Sequence, residues 1–229
     1  MALRLTDIDV IVFDVLGTLV DEPAGVRSAM REALPTADAA TISAFTAQWQ
    51  RHIAQRQERI AEGRQPYVDS EILDAEAAGV VLDLAAREGL PVDADAGPRL
   101  ASASRRLTPW PDSVAELARA GARFPVLALS NAAPTTLLHL AADSGLQWHS
   151  TVSADDVSAY KPAPALYRRA IEVADRPAER ILMVAAHSWD LRGAADAGMR
   201  TCYVDRPVGD PPATEDRFDL SVSGLAAIR

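Results

Sequence analysis

Four short segments carry side chains that can do chemistry, and they follow one another in a fixed order along the chain. Asp14 ends the run Val10-Ile11-Val12-Phe13 and is followed by Gly17 and Thr18. A carboxylate there can attack carbon or phosphorus as a nucleophile, or it can merely cap the turn that Gly17 and Thr18 mark. Ser130-Asn131 come directly after Val126-Leu127-Ala128-Leu129 and offer a hydroxyl and an amide. They can hold a ligand, or they can cap the helix behind them. Lys161 precedes Pro162, which restricts its backbone and gives the ammonium a fixed direction that a solvated lysine does not need. The segment Val184-Ala185-Ala186-His187-Ser188-Trp189-Asp190 leaves another apolar run and delivers a His and an Asp into a loop. Each segment alone can be structural. Together, an acid, a hydroxyl–amide pair, an ammonium and a His with a second acid form a catalytic set.

Such a set works only if one scaffold brings the four segments together. The runs ahead of Asp14, Ser130 and His187 are apolar and rich in β-branched residues, as buried parallel strands are. From Leu107 onward strand and helix patterns alternate. Pro111-Asp112-Ser113 opens a helix ending near Gly121, and Ala133-Pro134 opens one ending near Gly145. A short strand over Thr151–Ser153 and a helix over Ala163–Ala174 follow, then a strand over Ile181–Val184. A helix over Leu191–Ala197 is closed by Gly198, and the strand Thr201–Val204 comes next. This alternation predicts a Rossmann-like, doubly wound α/β fold with a parallel sheet covered on both faces. Ligands of such sheets bind at the carboxyl ends of the strands, where all four segments lie. Between Pro23 and about Ser104 the signals are helical instead. One helix is expected from about Asp38 to Glu62, stopping at Gly63, and another from about Asp69 to Glu88, stopping at Gly89-Leu90-Pro91. The core domain is therefore expected at residues 1–20 and 105–229, with a helical cap at 21–104 inserted into it. The Pro-rich stretch from Arg206 to Pro212 reads as a surface loop.

Composition narrows the function classes. The chain has 229 residues, 48% of them hydrophobic, which is ample for a packed core. Its net charge of −9 argues against nucleic acid and anionic membranes as partners. It also requires that an anionic substrate be drawn by a local pocket. The single cysteine, Cys202, cannot form an internal disulfide and sits in an apolar run, which suggests buried packing. No charged-then-apolar leader and no membrane-length apolar run is read, so a soluble cytoplasmic protein is expected. His52, His139 and His149 show no ligand spacing and read as structural or exposed.

The order Asp14-x-x-Gly17-Thr18, Ser130-Asn131, Lys161-Pro162 and Asp190 resembles the haloacid dehalogenase superfamily over essentially the whole chain. The similarity is greatest to its L-2-haloacid dehalogenases, from the Ser-Asn pair, the spacing from Lys161-Pro162 to Tyr167, and Trp189-Asp190. Ala194-Ala195-Asp196-Ala197-Gly198 and Val204-Asp205-Arg206-Pro207 resemble that subgroup as well. The phosphatases of the superfamily place an acid two residues after the nucleophile and hold Mg²⁺ with paired acids. Here the +2 residue is Leu16 and the fourth segment supplies one acid, Asp190. Ala185, Ala186 and His187 are poor ligands for a hard cation. Halide leaves without a proton, so these absences favour dehalogenation. No metal or cofactor is expected.

The resemblance implies that Asp14 displaces halide from a short 2-haloacid to form an ester, and that water hydrolyses the ester to a 2-hydroxy acid. Lys161 near Asp14 would keep the nucleophile ionised. Thr18 and Ser130, with the backbone N–H groups of Val15 and Leu16, would bind the nucleophile or the substrate carboxylate. Asn131 would contact the leaving halide, and Tyr167 would orient Lys161, line the pocket or pack in the core. In the better-known members Ser-Ser-Asn stands where this chain has Ala185-Ala186-His187. His187 titrates near neutral pH and either activates the hydrolytic water, with Asp190 holding it or sharing the role, or only packs the loop. For the halide-binding arginine of the cap, Arg51 is the candidate and Arg56 the substitute, with Trp49 as a pocket wall. The same site also suits a small cyclic imino acid, a phosphatase, or a member that binds a small anion without turnover. A homodimer formed through apolar cap helices is a further implication of the resemblance.

Overall fold

The computed structural model describes residues 3–228. Its centre is a parallel sheet of six strands in the order β3-β2-β1-β4-β5-β6. The strands are β1 (Val10–Asp14), β2 (Val126–Ser130), β3 (Ser150–Ser153), β4 (Ile181–Ala185), β5 (Arg200–Val204) and β6 (Leu220–Val222). All five residues of β1, β2 and β4 are buried, as two covered faces require. Side chains of β1 alternate between the faces. Ile11 and Phe13 pack with Leu117, Leu137 and Leu140, on the face covered by α5 (Ser113–Gly121) and α6 (Pro134–Ser144). Val10 and Val12 pack with Leu166, Ala170 and Leu191, on the face covered by α7 (Pro164–Ala174) and α8 (Ser188–Asp196). Strand order reverses between β1 and its neighbour β4, which puts the crevice of this doubly wound sheet at the end of Asp14.

Between β1 and β2 the chain leaves the sheet to form α1 (Glu22–Ala33), α2 (Ala39–Ala61), α3 (Ser70–Arg87) and α4 (Ala96–Ala101). The first three each open on an aspartate, Asp21, Asp38 and Asp69, whose carboxylate accepts a hydrogen bond from the first turn. Their apolar faces form a core of their own around Met30, Phe45, Trp49, Val81 and Leu100. Several contacts tie this layer to the sheet domain. Ala133 N–H donates to Ser70 Oγ at 2.8 Å, Thr136 donates to Glu71 at 3.2 Å, and Tyr160 donates to the Val68 carbonyl at 2.9 Å. Tyr67 also donates to Asp155. Among the described residues no helix is long and apolar enough to cross a membrane.

The elements differ from expectation at two places that matter for the site. His187 is the N-cap residue of α8 and Asp190 lies in its first turn, so the fourth segment is a helix start rather than a loop. The stretch after β5 is fixed near the site, because Asp210 pairs through its backbone with the ends of β4 and α8.

Candidate active site

The carboxyl ends of β1, β2 and β4 bring Asp14, Ser130 and His187 to one edge of the sheet, and the turn before α7 adds Lys161. The ammonium of Lys161 lies 2.6 Å from Asp14 Oδ1 and 2.6 Å from Asp190 Oδ2, and donates to the Leu129 carbonyl at 3.2 Å. Asp14 is 3% exposed, Lys161 6% and Asp190 0%. Burial alone would discharge the lysine, but the two carboxylates outweigh it and hold its pKa above the ordinary value. Tyr167, fully buried, donates to the other oxygen of Asp190 at 2.7 Å. A Cβ on Gly193 would come within 2.6 Å of the Tyr167 hydroxyl, so α8 needs glycine there for this contact to form. Thr18 donates to Asp14 Oδ2 at 2.6 Å while its hydroxyl accepts from Ala186 N–H at 2.9 Å. Trp110 and Arg206 donate to the carbonyls of Gly17 and Thr18, which fixes the turn behind the nucleophile candidate.

His187 adds a second cluster beside the first. Its Nδ1 lies 2.7 Å from Asp210 Oδ2, and its Nε2 lies 3.1 Å from the Leu16 carbonyl and 3.9 Å from Asp14 Oδ2. Burial opposes a charge on the ring, yet Asp14, Asp210 and the Leu16 carbonyl together raise its pKa above the ordinary value. Gly17 has φ +79°, and a Cβ there would sit 2.6 Å from Nε2, so only glycine lets the ring approach the turn after Asp14.

A cavity of about 420 Å³ opens between this edge and α1 and α2. Asp14, Leu16, Ser130, Asn131, Lys161 and His187 line it from the sheet side, and Glu22, Trp49, Gln50 and Gln57 line it from the helical side. The expectations for the two cap arginines are corrected here. Arg51 is exposed and bonded to Gln48, outside the cavity. Arg56 is held by Glu76 and Gln65 and is outside it too. One residue of helical register turns Gln50 inward and Arg51 outward, so the cap presents amides. Tyr167 lies behind Asp190 and does not line the cavity. Ala132 N–H donates to Ser130 Oγ at 3.1 Å and Lys161 N–H donates to Asn131 Oδ1 at 2.7 Å, while both residues line the cavity. The Val15 side chain is fully buried, and the contact expected of Val15 is through its backbone N–H. Glu22, Gln50, Gln57 and Asp210 escaped the sequence reading, since none carries a spacing signal and Asp210 lies in the Pro-rich loop. The Glu22 carboxyl makes no hydrogen bond among the described residues, and burial raises its pKa.

The donor set does not suit a divalent cation. Asp14 has one oxygen on Lys161 and the other on Thr18, and the Leu16 carbonyl faces His187. Among the described residues no group of three or more His, Cys, Asp or Glu side chains is placed to hold a metal ion. What remains is a buried carboxylate with a fixed counter-ion, open to a small cavity, with an imidazole beside it.

Residues 8–198 match the haloacid dehalogenase-like hydrolase model. The (S)-2-haloacid dehalogenase 4A of Burkholderia cepacia is 32% identical over 213 residues, covering 89% of this chain and 85% of that enzyme. The match to the (S)-2-haloacid dehalogenase of Pseudomonas fluorescens is 31% identical and shorter, spanning 53% of this chain and 55% of that one. Among solved structures, the L-2-haloacid dehalogenase from Xanthobacter autotrophicus with chloropropionic acid covalently bound superposes with a TM-score of 0.79 at 27% identity, covering 96% of both chains. Fold and sequence agree, and the chain belongs to the haloacid dehalogenase-like hydrolases.

Proposed function

We propose that this hydrolase is a dehalogenase of short 2-haloacids, of the (S)-specific type found among its relatives. The observation that carries the reading is the buried Asp14–Lys161–Asp190 arrangement facing a small cavity whose +2 position is the apolar Leu16. A carboxylate held ionised by an ammonium can attack carbon, while nothing at Leu16 can protonate a poor leaving group. Halide needs no proton. In the first step an Asp14 oxygen bonds to the carbon bearing halogen, and the carbon–halogen bond breaks with its electron pair going to halide. In the second, water attacks the Asp14 carboxyl carbon, and the bond between that carbon and the ester oxygen breaks. The 2-hydroxy acid leaves and the Asp14 carboxylate returns. Lys161 keeps Asp14 charged in the first step. His187 takes the water's proton in the second, with Asn131, Trp49 and Gln50 shaping the space around the halogen.

A second reading keeps the nucleophile and changes the leaving group. The cap offers Gln50, Gln57 and the Glu22 carboxyl where an arginine was expected, and a raised Glu22 pKa supplies a proton that an amine leaving group needs. A small cyclic imino acid fits that chemistry. Halide release from chloro-, bromo- and fluoro-acids of both hands, beside ring opening of a cyclic imino acid and cleavage of a generic phosphate ester, separates the readings. With 2-haloacids the wild type should release halide, and Asp14→Asn should be folded and inactive. Mass spectrometry should find the substrate's acyl mass on Asp14. Turnover by Asp14→Asn, without deamidation back to Asp, would sink the covalent mechanism. Ring opening without halide release would transfer the assignment to the imino acid.

A further inference from the structure

We propose that Asp210 is a positioning residue for hydrolysis of the Asp14 ester, holding His187 as the Nδ1–H tautomer so that Nε2 is the nitrogen that exchanges protons beside Asp14. This rests on the dehalogenase reading above. The geometry is specific. Asp210 Oδ2 lies 2.7 Å from His187 Nδ1 and also accepts from Trp189 Nε1 at 3.0 Å. Its own backbone is pinned on both sides, since Asp210 N–H donates to Ala186 and Ser188 N–H donates to Asp210, at 2.9 and 3.0 Å. The imidazole stacks on the Trp189 ring with centroids 5.6 Å apart. The ring therefore has one orientation, and its free edge faces Asp14 and the Leu16 carbonyl. The Asp210 side chain is 57% exposed, so its effect is more geometric than electrostatic. Nucleophile, base and orienting acid in this relation recur on unrelated folds.

The arrangement also times the base. The charged groups around His187 are Asp14, Asp210, Glu22 and Lys161. In the free enzyme the Asp14 carboxylate stabilises the imidazolium, whose Nε2–H donates to the Leu16 carbonyl. Ester formation removes the Asp14 charge, and the ring releases its Nε2 proton to solvent. Nε2 can then accept a proton from the attacking water. That proton passes to the departing alkoxide, and the carboxylic acid left at Asp14 returns its own proton to Nε2. One proton is released per turnover, together with halide and 2-hydroxy acid.

The test uses Asp210→Asn, Asp210→Glu, His187→Asn and the double variant of Asp210→Asn with His187→Asn in single turnovers. Asp210→Asn should leave the halide burst within about twofold and slow ester breakdown about tenfold to a hundredfold, part of the 10²–10⁴ that a general base supplies. Asp210→Glu should recover part of the rate. The double variant should be no slower than His187→Asn. ¹⁵N NMR of the free enzyme, taken at a pH high enough to deprotonate the ring and with the His187 signal assigned by its loss in His187→Asn, should show the Nδ1–H tautomer in the wild type and its loss in favour of Nε2–H or a mixture in Asp210→Asn. If His187→Asn slows ester breakdown while Asp210→Asn does not, or the losses add in the double variant, the role of Asp210 is overturned. If His187→Asn itself has no effect, the base assignment fails with it. If no haloacid forms an ester, the dehalogenase reading fails, and the NMR tautomer alone shows whether Asp210 fixes the ring.

Discussion

Lys161 places one ammonium between two buried carboxylates, 2.6 Å from each, where water is excluded. Removing it leaves Asp14 and Asp190 facing each other without a counter-ion. Lys161→Met, which keeps the stem, should abolish activity and destabilise the fold by about 3–5 kcal/mol at neutral pH. Part of that loss should return in acid, because protonating one carboxyl relieves the repulsion. Urea unfolding of wild type and variant at pH 5 and pH 7.5 checks this, and equal stability at both would contradict it. Lys161 also supplies the positive charge that a metal would bring. Dehalogenation should survive dialysis against EDTA and gain nothing from Mg²⁺. Loss with EDTA and recovery with Mg²⁺ would instead favour phosphatase-like chemistry. The residues legible in sequence were those at strand ends, because a strand's end is marked by its own apolar run. Gln50 and Asp210 were not, because one turns inward by helical register and the other arrives on a loop that sequence reads only as Pro-rich.

At the level of elements, helix ends were the most legible feature. Gly145 and Gly198 close α6 and α8 where expected, and Asp38 and Asp69 cap α2 and α3. α1 and α4 lacked so clear a stop, and β6 has only three residues, none of them buried, so none of the three elements stood out from its surroundings. One element carries an unexpected cost. Asp74 of α3 is 7% exposed, and burial raises its pKa to about 7, aided by Glu22 and Glu71 and opposed by Ser104 and Arg105. A raised carboxyl pKa means that the folded state binds the proton more tightly than the unfolded one. The stability it contributes is complete below the unfolded value near 3.8 and is lost as pH rises through about 7. Asp74→Asn should therefore gain on the wild type as pH rises from 5 to 8. The limit over that range is about 3 kcal/mol, from the roughly two pKa units between pH 5 and the folded value of about 7, at about 1.4 kcal/mol each. Thermal unfolding across that range measures the gain, and a difference independent of pH would show that Asp74 stays charged or finds another partner.

On the scale of the whole molecule, a strongly acidic protein is proposed to bind an anion. The chain carries 32 acidic and 23 basic residues, a net charge of −9, while the cavity's positive groups are Lys161, neutralised by two carboxylates, and His187. The long-range field should therefore repel a 2-haloacid, and capture must depend on contacts made after entry. Screening should help. The Debye length falls from about 30 Å at 0.01 M to about 8 Å at 0.15 M, so distant carboxylates drop out while the groups inside the cavity do not. For a 2-bromo acid, kcat/KM should rise by roughly twofold or more over that range in a non-halide salt. A neutral 2-bromoamide of the same shape, measured by halide release, should show no such rise. If kcat/KM for the acid instead falls with salt, the field at the mouth of the cavity is positive. His187 and Lys161 then act on the substrate from outside, despite the carboxylates that surround them.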